Sequence, residues 1–290
     1  MGCVIFSNFA IEHDFPNAFR NMRQTRSLLL ILFTLLLSGC GEYIRVQEST
    51  DVMEKYTYAL KYYEQGDYTK STELLEVIVP YMTGTTQGEK ALYLLGQSYY
   101  HQKAYDLAHK TFKQYYTRYT NGEYSELARF YAGYGLAQDA PDPRLDQEST
   151  YTAIKELQDF LDHYPQSEKA EEAKQTLFDL QDHLALKELL NIELYFNLGN
   201  YIFNNYESAI ITARAALKQY PYSKYAEDMH YYVVASMYEV AKNSVISKQQ
   251  SRLRELRDEY YNYINEFPEG KHRPEVEKYF QYAERNIKED

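Results

Sequence analysis

Histidine, cysteine, serine and the carboxylates are the residue types that could perform chemistry in this chain. The seven histidines are scattered, and they form no metal-ligand motif such as HExxH or a Cys/His cluster. There is no phosphate-binding loop and no G-x-S-x-G elbow, and both cysteines precede residue 41. Aspartate and glutamate fall on the polar faces of predicted helices, where solvation is their usual role. The sequence therefore predicts a protein that is not an enzyme and needs no metal or other cofactor.

Cys40 is the one residue whose surroundings predict a chemical modification. Basic residues precede a short apolar run over residues 28–37, which is followed by Ser38-Gly39-Cys40. This order is typical of a secretory signal with small residues at its cleavage site. The apolar run is too short to span a bilayer as a stable helix. The alternative is a buried apolar helix that ends by chance in Ser38-Gly39-Cys40.

Leu37-Ser38-Gly39-Cys40 resembles the lipobox of bacterial lipoproteins, in which the cysteine becomes the acylated first residue of the mature chain. An aspartate directly after that cysteine tends to retain such proteins in the inner membrane. Gly41 stands there instead, so the resemblance implies transport to the outer membrane. Maturation typically adds three acyl chains, palmitate among them, and two are already enough for stable anchoring. Cys40 is therefore predicted to carry the lipid anchor, and residues 40–50 to form a short lipidated tether.

The segment before Met22 fits a signal poorly. It contains acidic residues and a proline, and it precedes a lipoprotein signal that is already complete over residues 22–39. We expect translation to start at Met22, which would make residues 1–21 a mis-assigned extension. Peptide mapping that found residues 1–21 in the precursor would contradict this expectation.

The composition favours a helical protein with many half-buried aromatic side chains. The 290 residues include 33 Tyr and 13 Phe but no Trp, and only 12 Gly and 8 Pro. Tyrosine suits half-buried positions, because its ring packs while its hydroxyl stays hydrated. The scarcity of glycine, proline and alternating β-branched residues argues against an all-β domain. The net charge of −11 excludes the basic surface that binding to nucleic acid would require.

Four junctions of one form divide the chain after residue 50. Each consists of an aromatic residue, proline or threonine, any residue, and serine or glycine. Proline cannot continue a helix, and the serine or glycine beyond it can cap the next one. The junctions are Tyr119-Thr120-Asn121-Gly122, Tyr164-Pro165-Gln166-Ser167, Tyr220-Pro221-Tyr222-Ser223 and Phe267-Pro268-Glu269-Gly270.

Residues 92–120 contain the clearest copy of a unit that resembles a tetratricopeptide (TPR) repeat. Two amphipathic helices are predicted there, over about 91–102 and 105–119. Small residues beside aromatic ones would let paired helices approach closely. The expected seam residues along the chain are Ala59, Tyr62, Gly96, Tyr99, Ala108, Ala153 and Ala209. The predicted fold is an all-α, right-handed TPR-like solenoid of about five helix pairs plus a C-terminal helix.

The five predicted pairs include several irregular stretches. Glu168 to Asn204 is either one long helix or two abutting ones. Residues 51–165 are assigned to N-terminal repeats 1 to 3, and residues 166–290 to repeats 4 and 5 with a capping helix. Insertions are expected at Asp139 to Arg144, between the helices of the third pair, and at Lys242 to Ser251, which lengthens the fifth. The pairs are predicted at about 51–83, 86–120, 123–165, 185–221 and 224–268.

One face of the first two pairs carries a ladder of tyrosines. In a TPR stack the first helix of each pair lines the concave face, and Phe130 or Tyr134 could extend the ladder there. One interpretation is a groove for an extended peptide with an aromatic residue, held by ring stacking and by a lysine. The alternative is that these tyrosines only pack between helices. The residues placed on this face are Tyr56, Tyr63, Lys90, Tyr93 and Tyr100.

A predicted lipid anchor followed by TPR-like pairs resembles the BamD family, the TPR lipoproteins of the bacterial outer-membrane β-barrel assembly machinery. The resemblance extends from about Tyr56 to the fifth pair. The family usually has arginine where His183 stands, so the resemblance assigns no role to that position. The stretches that carry it are Tyr58-Ala59…Gly66-Asp67-Tyr68, Phe160-Leu161…Tyr164-Pro165-Gln166-Ser167, and Leu177…Leu180-Gln181-Asp182-His183-Leu184-Ala185…Glu188 through Tyr206 and Ala209.

The resemblance implies a scaffold without catalysis at the periplasmic face of the outer membrane, held there by Cys40. The C-terminal repeats would bind a BamA-like β-barrel insertase. The N-terminal repeats would receive unfolded outer-membrane proteins through a C-terminal signal that ends in an aromatic residue. One alternative is another periplasmic TPR lipoprotein, serving peptidoglycan synthesis or cell division. The other is a nutrient-binding outer-membrane lipoprotein, although such proteins carry large inserted ligand-binding regions and this chain has no room for one.

Overall fold

The computed structural model describes residues 41–201 and 204–288, which contain helices and no strand. The predicted signal, the segment before it and Cys40 lie outside the described residues. Helix α1 covers residues 41–48. The other helices are α2 (Val52–Glu64), α3 (Tyr68–Ile78), α4 (Thr86–His101), α5 (Tyr105–Arg118), α6 (Ser125–Gln138), α7 (Glu148–His163), α8 (Ala170–Leu198), α9 (Asn205–Gln219), α10 (Ala226–Lys242), α11 (Ile246–Glu266) and α12 (Arg273–Asn286), with a 3₁₀ turn at Val79–Met82.

The helices follow one another as five pairs, from α2–α3 to α10–α11, and α12 ends the series. From α5 onward each helix packs against the next one. The even-numbered helices α6, α8, α10 and α12 also contact one another in that order. The first helices of stacked TPR pairs make this kind of contact. The predicted all-α, TPR-like fold is therefore confirmed.

Two compact units divide the chain, and their boundary lies between Leu94 and Leu95, inside α4. In the first unit, Leu74, Leu75 and Ile78 of α3 are buried with Ala59 of α2. In the second unit, one buried cluster is formed by α6, α7 and α8, and another by α8 to α12. The division between residues 165 and 166 stays a prediction.

The four junctions form the same hydrogen-bonded turn. In each, the backbone N–H of the serine or glycine donates to the carbonyl of the aromatic residue, and the N···O distance is 3.1 Å between Ser167 and Tyr164. The expectation that serine caps the next helix is wrong, because α8 begins only at Ala170 and its N-cap Lys169 makes no capping bond. Instead, Ser167 Oγ accepts a hydrogen bond from the Lys169 N–H at 3.0 Å. Ser167 therefore stabilises the turn, and α8 begins three residues later, at Ala170.

Three segments depart from the regular series of short paired helices. The stretch from Glu168 to Asn204 holds one helix, α8, of 29 residues. The polar stretch after Lys242 extends α11, which begins at Ile246 and has 21 residues. Residues 41–48, expected to form a tether, are helical and packed on the first pair. None of the helices in the described ranges is long and apolar enough to cross a bilayer.

Helix α12 covers the aromatic side chains of the fifth pair, as expected for a cap. Phe280 stacks on Tyr260 of α11 with ring centroids 4.1 Å apart, and Tyr279 stacks on Tyr238 of α10 at 4.5 Å. Pro274 stands in the first turn of α12, where a missing N–H costs no helical hydrogen bond. The cap therefore replaces the neighbour that a sixth pair would supply.

Candidate functional site

Four members of the predicted tyrosine face lie in the first compact unit, and they differ in accessibility. Tyr56 of α2 and Tyr93 of α4 are buried, each with 8% of its surface exposed. Tyr63 is half-buried, and its ring meets that of Tyr68 edge-on with centroids 5.5 Å apart. Lys90 is exposed. The packing alternative therefore fits Tyr56 and Tyr93, whereas Tyr63 and Lys90 present surface that a ligand could reach.

Tyr100 lies in the second unit, in the last turn of α4, and is half-buried. Its ring centroid lies 5.6 Å from that of Tyr105 and 5.0 Å from that of Tyr131. Burial, together with the nearby hydroxyl of Tyr134 and these two neighbours, raises the pKa of Tyr100 to about 12. Tyr100 therefore stays neutral at physiological pH and joins α4 to α5 and α6 through ring contacts.

The two residues considered as extensions of the face have different environments. Phe130 is fully buried, stacks on Tyr134 with centroids 4.9 Å apart, and meets Phe160 edge-on at 5.5 Å. An extension of the face through Phe130 is therefore wrong, because its ring fills the core between α6 and α7. Tyr134 is half-buried and lines a cavity instead.

The expected seam residues are closely packed. A Cβ atom added to Gly96 would lie 2.6 Å from Cε1 of Phe112, which is fully buried in α5. Tyr62 is buried as well, whereas Tyr99 is half-buried. The four alanines have no exposed surface: they are Ala59, Ala108, Ala153 and Ala209. Gly96 and the four alanines therefore stand where a neighbouring helix leaves no room for a larger side chain.

A cavity of about 480 Å³ lies between α6 and α8 in the second unit. Its lining includes Tyr134, Glu172 and Asp179, with the amide side chains of Gln138 and Gln175. Glu172 accepts a hydrogen bond from Lys169 Nζ at 2.7 Å. This bond, with a further one from Tyr134, lowers the pKa of Glu172 despite partial burial. Glu172 is therefore ionised at neutral pH with Lys169 as its partner, and the polar lining of the cavity suits a polar group of a ligand.

The insertion of the third pair contributes Ala140 to the lining of this cavity, and two side chains of α8 hold the loop that contains it. His183 Nε2 donates to the carbonyl of Pro141 at 2.7 Å. Lys187 Nζ, one turn later, donates to the carbonyl of Leu145 at 2.8 Å. We call this pair of bonds the insertion latch. Sequence reasoning missed it, because the two ends of each bond are 42 residues apart.

A second cavity, of about 270 Å³, lies between α8 and the turn that precedes α10. Phe178 and Tyr222 line it, and their exposed fractions are 57% and 92%. Asp182 accepts a hydrogen bond from the backbone N–H of Lys224 at 3.2 Å and so joins the two walls. Exposed aromatic side chains beside a polar rim are features of protein–protein interfaces. This surface could not be predicted from the sequence, because Phe178 and Tyr222 are far apart in the chain.

The described residues contain no group of three or more His, Cys, Asp or Glu side chains that could hold a metal ion. The buried His230 instead donates from Nε2 to Glu259 at 2.9 Å, and Glu259 also accepts from Arg214 at 2.8 Å. We call these three residues the Glu259 network. It joins α9, α10 and α11.

Two comparisons with known proteins bear on this chain. The model of a family described as YfiO, outer membrane lipoprotein, matches residues 48–204. No curated protein matches the chain significantly. The matched range covers more than half of the sequence and runs from the end of α1 to the residue before α9.

Proposed function

The chain belongs to the YfiO family of outer membrane lipoproteins, and on this basis we propose that it is a scaffold of the outer-membrane β-barrel assembly machinery. The observation that carries the proposal is the extent of the family match, which includes the first three helix pairs and all of α8. Paired helices of this kind bind other proteins along extended surfaces. In this role the protein acts at the periplasmic face of the membrane, anchored by Cys40, and performs no catalysis.

The C-terminal repeats are the proposed binding region for a BamA-like insertase. Three apolar side chains there are well exposed, at 92% for Tyr222, 86% for Ile246 and 65% for Val245. Large apolar side chains in contact with solvent are the usual anchors of a protein interface. Their exposure supports a partner at this part of the chain.

The N-terminal repeats are the proposed receiver of unfolded outer-membrane proteins. Tyr63 offers a partly open ring, and Lys90 offers a cation that could pair with the C-terminal carboxylate of a peptide. Tyr56 and Tyr93 are buried and do not contact the peptide in this proposal. The proposed signal is a terminal aromatic residue next to its own carboxylate.

Depletion of the protein tests the proposal. If the protein serves barrel assembly, depletion lowers the amount of folded barrel proteins in the outer membrane and leaves lipoprotein levels unchanged. Normal barrel levels after depletion would contradict it. Purification from detergent-solubilised membranes gives an independent result. A barrel insertase is expected to co-purify, whereas enzymes of peptidoglycan synthesis in its place would favour another TPR lipoprotein scaffold.

A further inference from the structure

Helix α1, at residues 41–48, is fixed to the first helix pair. Val46 is fully buried. The ring of Tyr43 meets that of Tyr62 in α2 edge-on, with centroids 5.7 Å apart. The Tyr43 hydroxyl donates a hydrogen bond to Glu73 of α3. One side of α1 is thus packed against both helices of the pair.

Polar contacts hold the beginning and the middle of α1. Glu42 accepts hydrogen bonds from the hydroxyl of Tyr58 at 2.9 Å and from Nζ of Lys61 at 3.1 Å. The bond from Lys61, followed by that from Tyr58, lowers the pKa of Glu42. Arg45 forms an ion pair with Glu54 of α2. Each exposed pair is weak alone, but together with buried Val46 they leave α1 little freedom to move as a tether.

The opposite side of α1 faces solvent. Gly41, Ile44 and Glu48 are three or four residues apart, so they lie on one face of the helix, and all three are exposed. Ile44 has 51% of its surface exposed although it is a large apolar residue. It stands about 4.5 Å along the helix axis from Gly41. Gly41 is in turn about 3.8 Å, one peptide step, from Cys40.

We propose that α1 attaches the first helix pair to the outer membrane without slack, so that the bilayer surface lies against the exposed face of α1 and Ile44 contacts the lipid. This inference rests on the proposed acylation of Cys40. The acyl chains enter the bilayer at Cys40, so a side chain within about 8 Å of that residue lies at the membrane surface. Glu48 is about 6 Å further along the helix and reaches the hydrated headgroups.

A rigid attachment restricts the position of the first helix pair relative to the membrane, whereas a flexible tether does not. A flexible tether of about ten residues would let the first helix pair move within roughly 17 Å of its anchor. With α1 packed on α2 and α3 and Ile44 in contact with the lipid, the pair meets the bilayer at two points, Cys40 and Ile44, and its tilt and distance are restricted.

The absence of tryptophan from the chain permits a direct test. The acylated protein carrying Ile44→Trp is purified and reconstituted into liposomes of phosphatidylethanolamine and phosphatidylglycerol. We expect the tryptophan emission to shift to shorter wavelength and to be quenched when brominated lipids are included. The matched control is Tyr222→Trp, at a fully exposed position of the other unit, which should show neither effect. Equal quenching of both variants would contradict a specific contact.

A second variant separates the short attachment from the lipid itself. A flexible Gly/Ser linker of about twelve residues, inserted between Gly41 and Glu42, leaves α1 intact and adds about 20 Å of reach. Quenching of Ile44→Trp should then be lost while the protein still sediments with the liposomes. Unchanged quenching in the variant with the linker would overturn the role of the short attachment. Absence of quenching in Ile44→Trp without the linker would overturn the contact between Ile44 and the lipid. Mass spectrometry that found no acyl chains on Cys40 would instead refute the proposed anchor together with this inference.

Discussion

At the scale of single residues, burial separates side chains that look equivalent in the sequence. Tyr56 and Tyr63 of α2 and Tyr93 of α4 are predicted to lie on one face of the first two helix pairs. Of these three, only Tyr63 keeps an accessible ring. The helical period places a residue on a face, whereas its exposure depends on which neighbouring helix lies above it. Burial therefore fits the packing interpretation for Tyr56 and Tyr93, and a peptide-binding role for Tyr63 stays a prediction.

Replacement of the accessible tyrosines tests the peptide interpretation. We expect Tyr63→Ala and Tyr100→Ala each to weaken binding of a peptide that ends in phenylalanine by about tenfold, the usual cost of losing an aromatic anchor. Fluorescence anisotropy with a labelled peptide measures the affinity. Tyr81→Ala is the control, because Tyr81 is an exposed tyrosine outside the predicted face. Unchanged affinity in folded variants would return Tyr63 and Tyr100 to a packing role.

Gly96 is a residue whose small size is required by its neighbour. We expect Gly96→Ala to lower the free energy of unfolding by about 1–3 kcal/mol, because the new Cβ would lie 2.6 Å from the buried ring of Phe112. The control is Gly135→Ala, another buried helical glycine whose Cβ would meet nothing closer than 3.3 Å. Urea unfolding followed by circular dichroism measures both. An unchanged free energy of unfolding in Gly96→Ala would show that the seam tolerates a methyl group, and an equal loss in Gly135→Ala would show that the loss is not specific to the contact with Phe112.

At the scale of helices, polar side chains fix the positions of elements that the hydrophobic pattern leaves undetermined. The insertion latch of His183 and Lys187 ties the loop of the third pair to α8. The Glu259 network ties α11 to α9 and α10. A pattern of apolar residues predicts each helix, but these tertiary hydrogen bonds set how loops and helices meet.

Loss of the insertion latch should free the loop without unfolding the helices. Each bond is worth about 1 kcal/mol, so we expect His183→Ala and Lys187→Ala each to speed amide exchange in residues 142–147 by about fivefold. Hydrogen exchange followed by mass spectrometry measures this. Gln181→Ala, an exposed position on the same helix, is the control. Exchange equal to that of the control would mean that the loop is held by other contacts.

The Glu259 network predicts a dependence of stability on pH. Burial alone would raise the pKa of Glu259, but hydrogen bonds from His230 and Arg214 and their charges outweigh it and lower the pKa below its usual value of 4.5. A lowered folded-state pKa contributes stability above the unfolded pKa, and that stability is lost as the pH falls through the folded value.

The free energy of unfolding of Glu259→Gln should therefore fall less in acid than that of the wild type. We expect it to cost about 1–3 kcal/mol near pH 7, with a smaller difference from the wild type below the usual carboxyl pKa. Urea titrations at a series of pH values measure the free energy of unfolding. Glu255→Gln, an exposed carboxylate on the same helix, should change little at any pH. A Glu259→Gln deficit that stayed constant with pH would contradict the network.

At the scale of the whole molecule, the chain is a member of the YfiO family of outer membrane lipoproteins and is built as a TPR-like series of helix pairs. The described residues contain no helix able to cross a bilayer. The lipobox-like sequence that ends at Cys40 makes acylation of this residue the proposed route of attachment. Cys40 lies outside the described residues, so its modification stays a prediction.

Removal of the acylated thiol tests this route. We expect Cys40→Ala to abolish incorporation of labelled palmitate and to move the protein from the membrane to the soluble periplasmic fraction, because no other anchor is predicted. Cys3→Ala is the matched control and should change neither result, since translation is expected to start at Met22. Membrane association of Cys40→Ala would contradict the predicted anchor. An effect of Cys3→Ala would contradict the predicted start.

The sequence alone determined the helical class, the pairs and their junctions. These features depend on local spacing, since the helical period and residues such as Pro165 and Pro221 act within a few positions. The seam position Gly96 could be predicted for the same reason. The single helix of 29 residues at α8 could not be predicted. Residues 170–198 contain no proline or glycine, and two abutting helices need neither residue at their junction.

Only the tertiary structure decided which polar and aromatic side chains meet. The packing of α1 through Val46 and Tyr43, the latch at His183 and the burial of Tyr93 each depend on contacts between separate elements. Such contacts follow from how whole helices pack, and no short stretch of sequence encodes them. The residues 41–50 show this most clearly: their polar composition predicts a tether, but burial of one valine and hydrogen bonds to α2 and α3 make them part of the first helix pair.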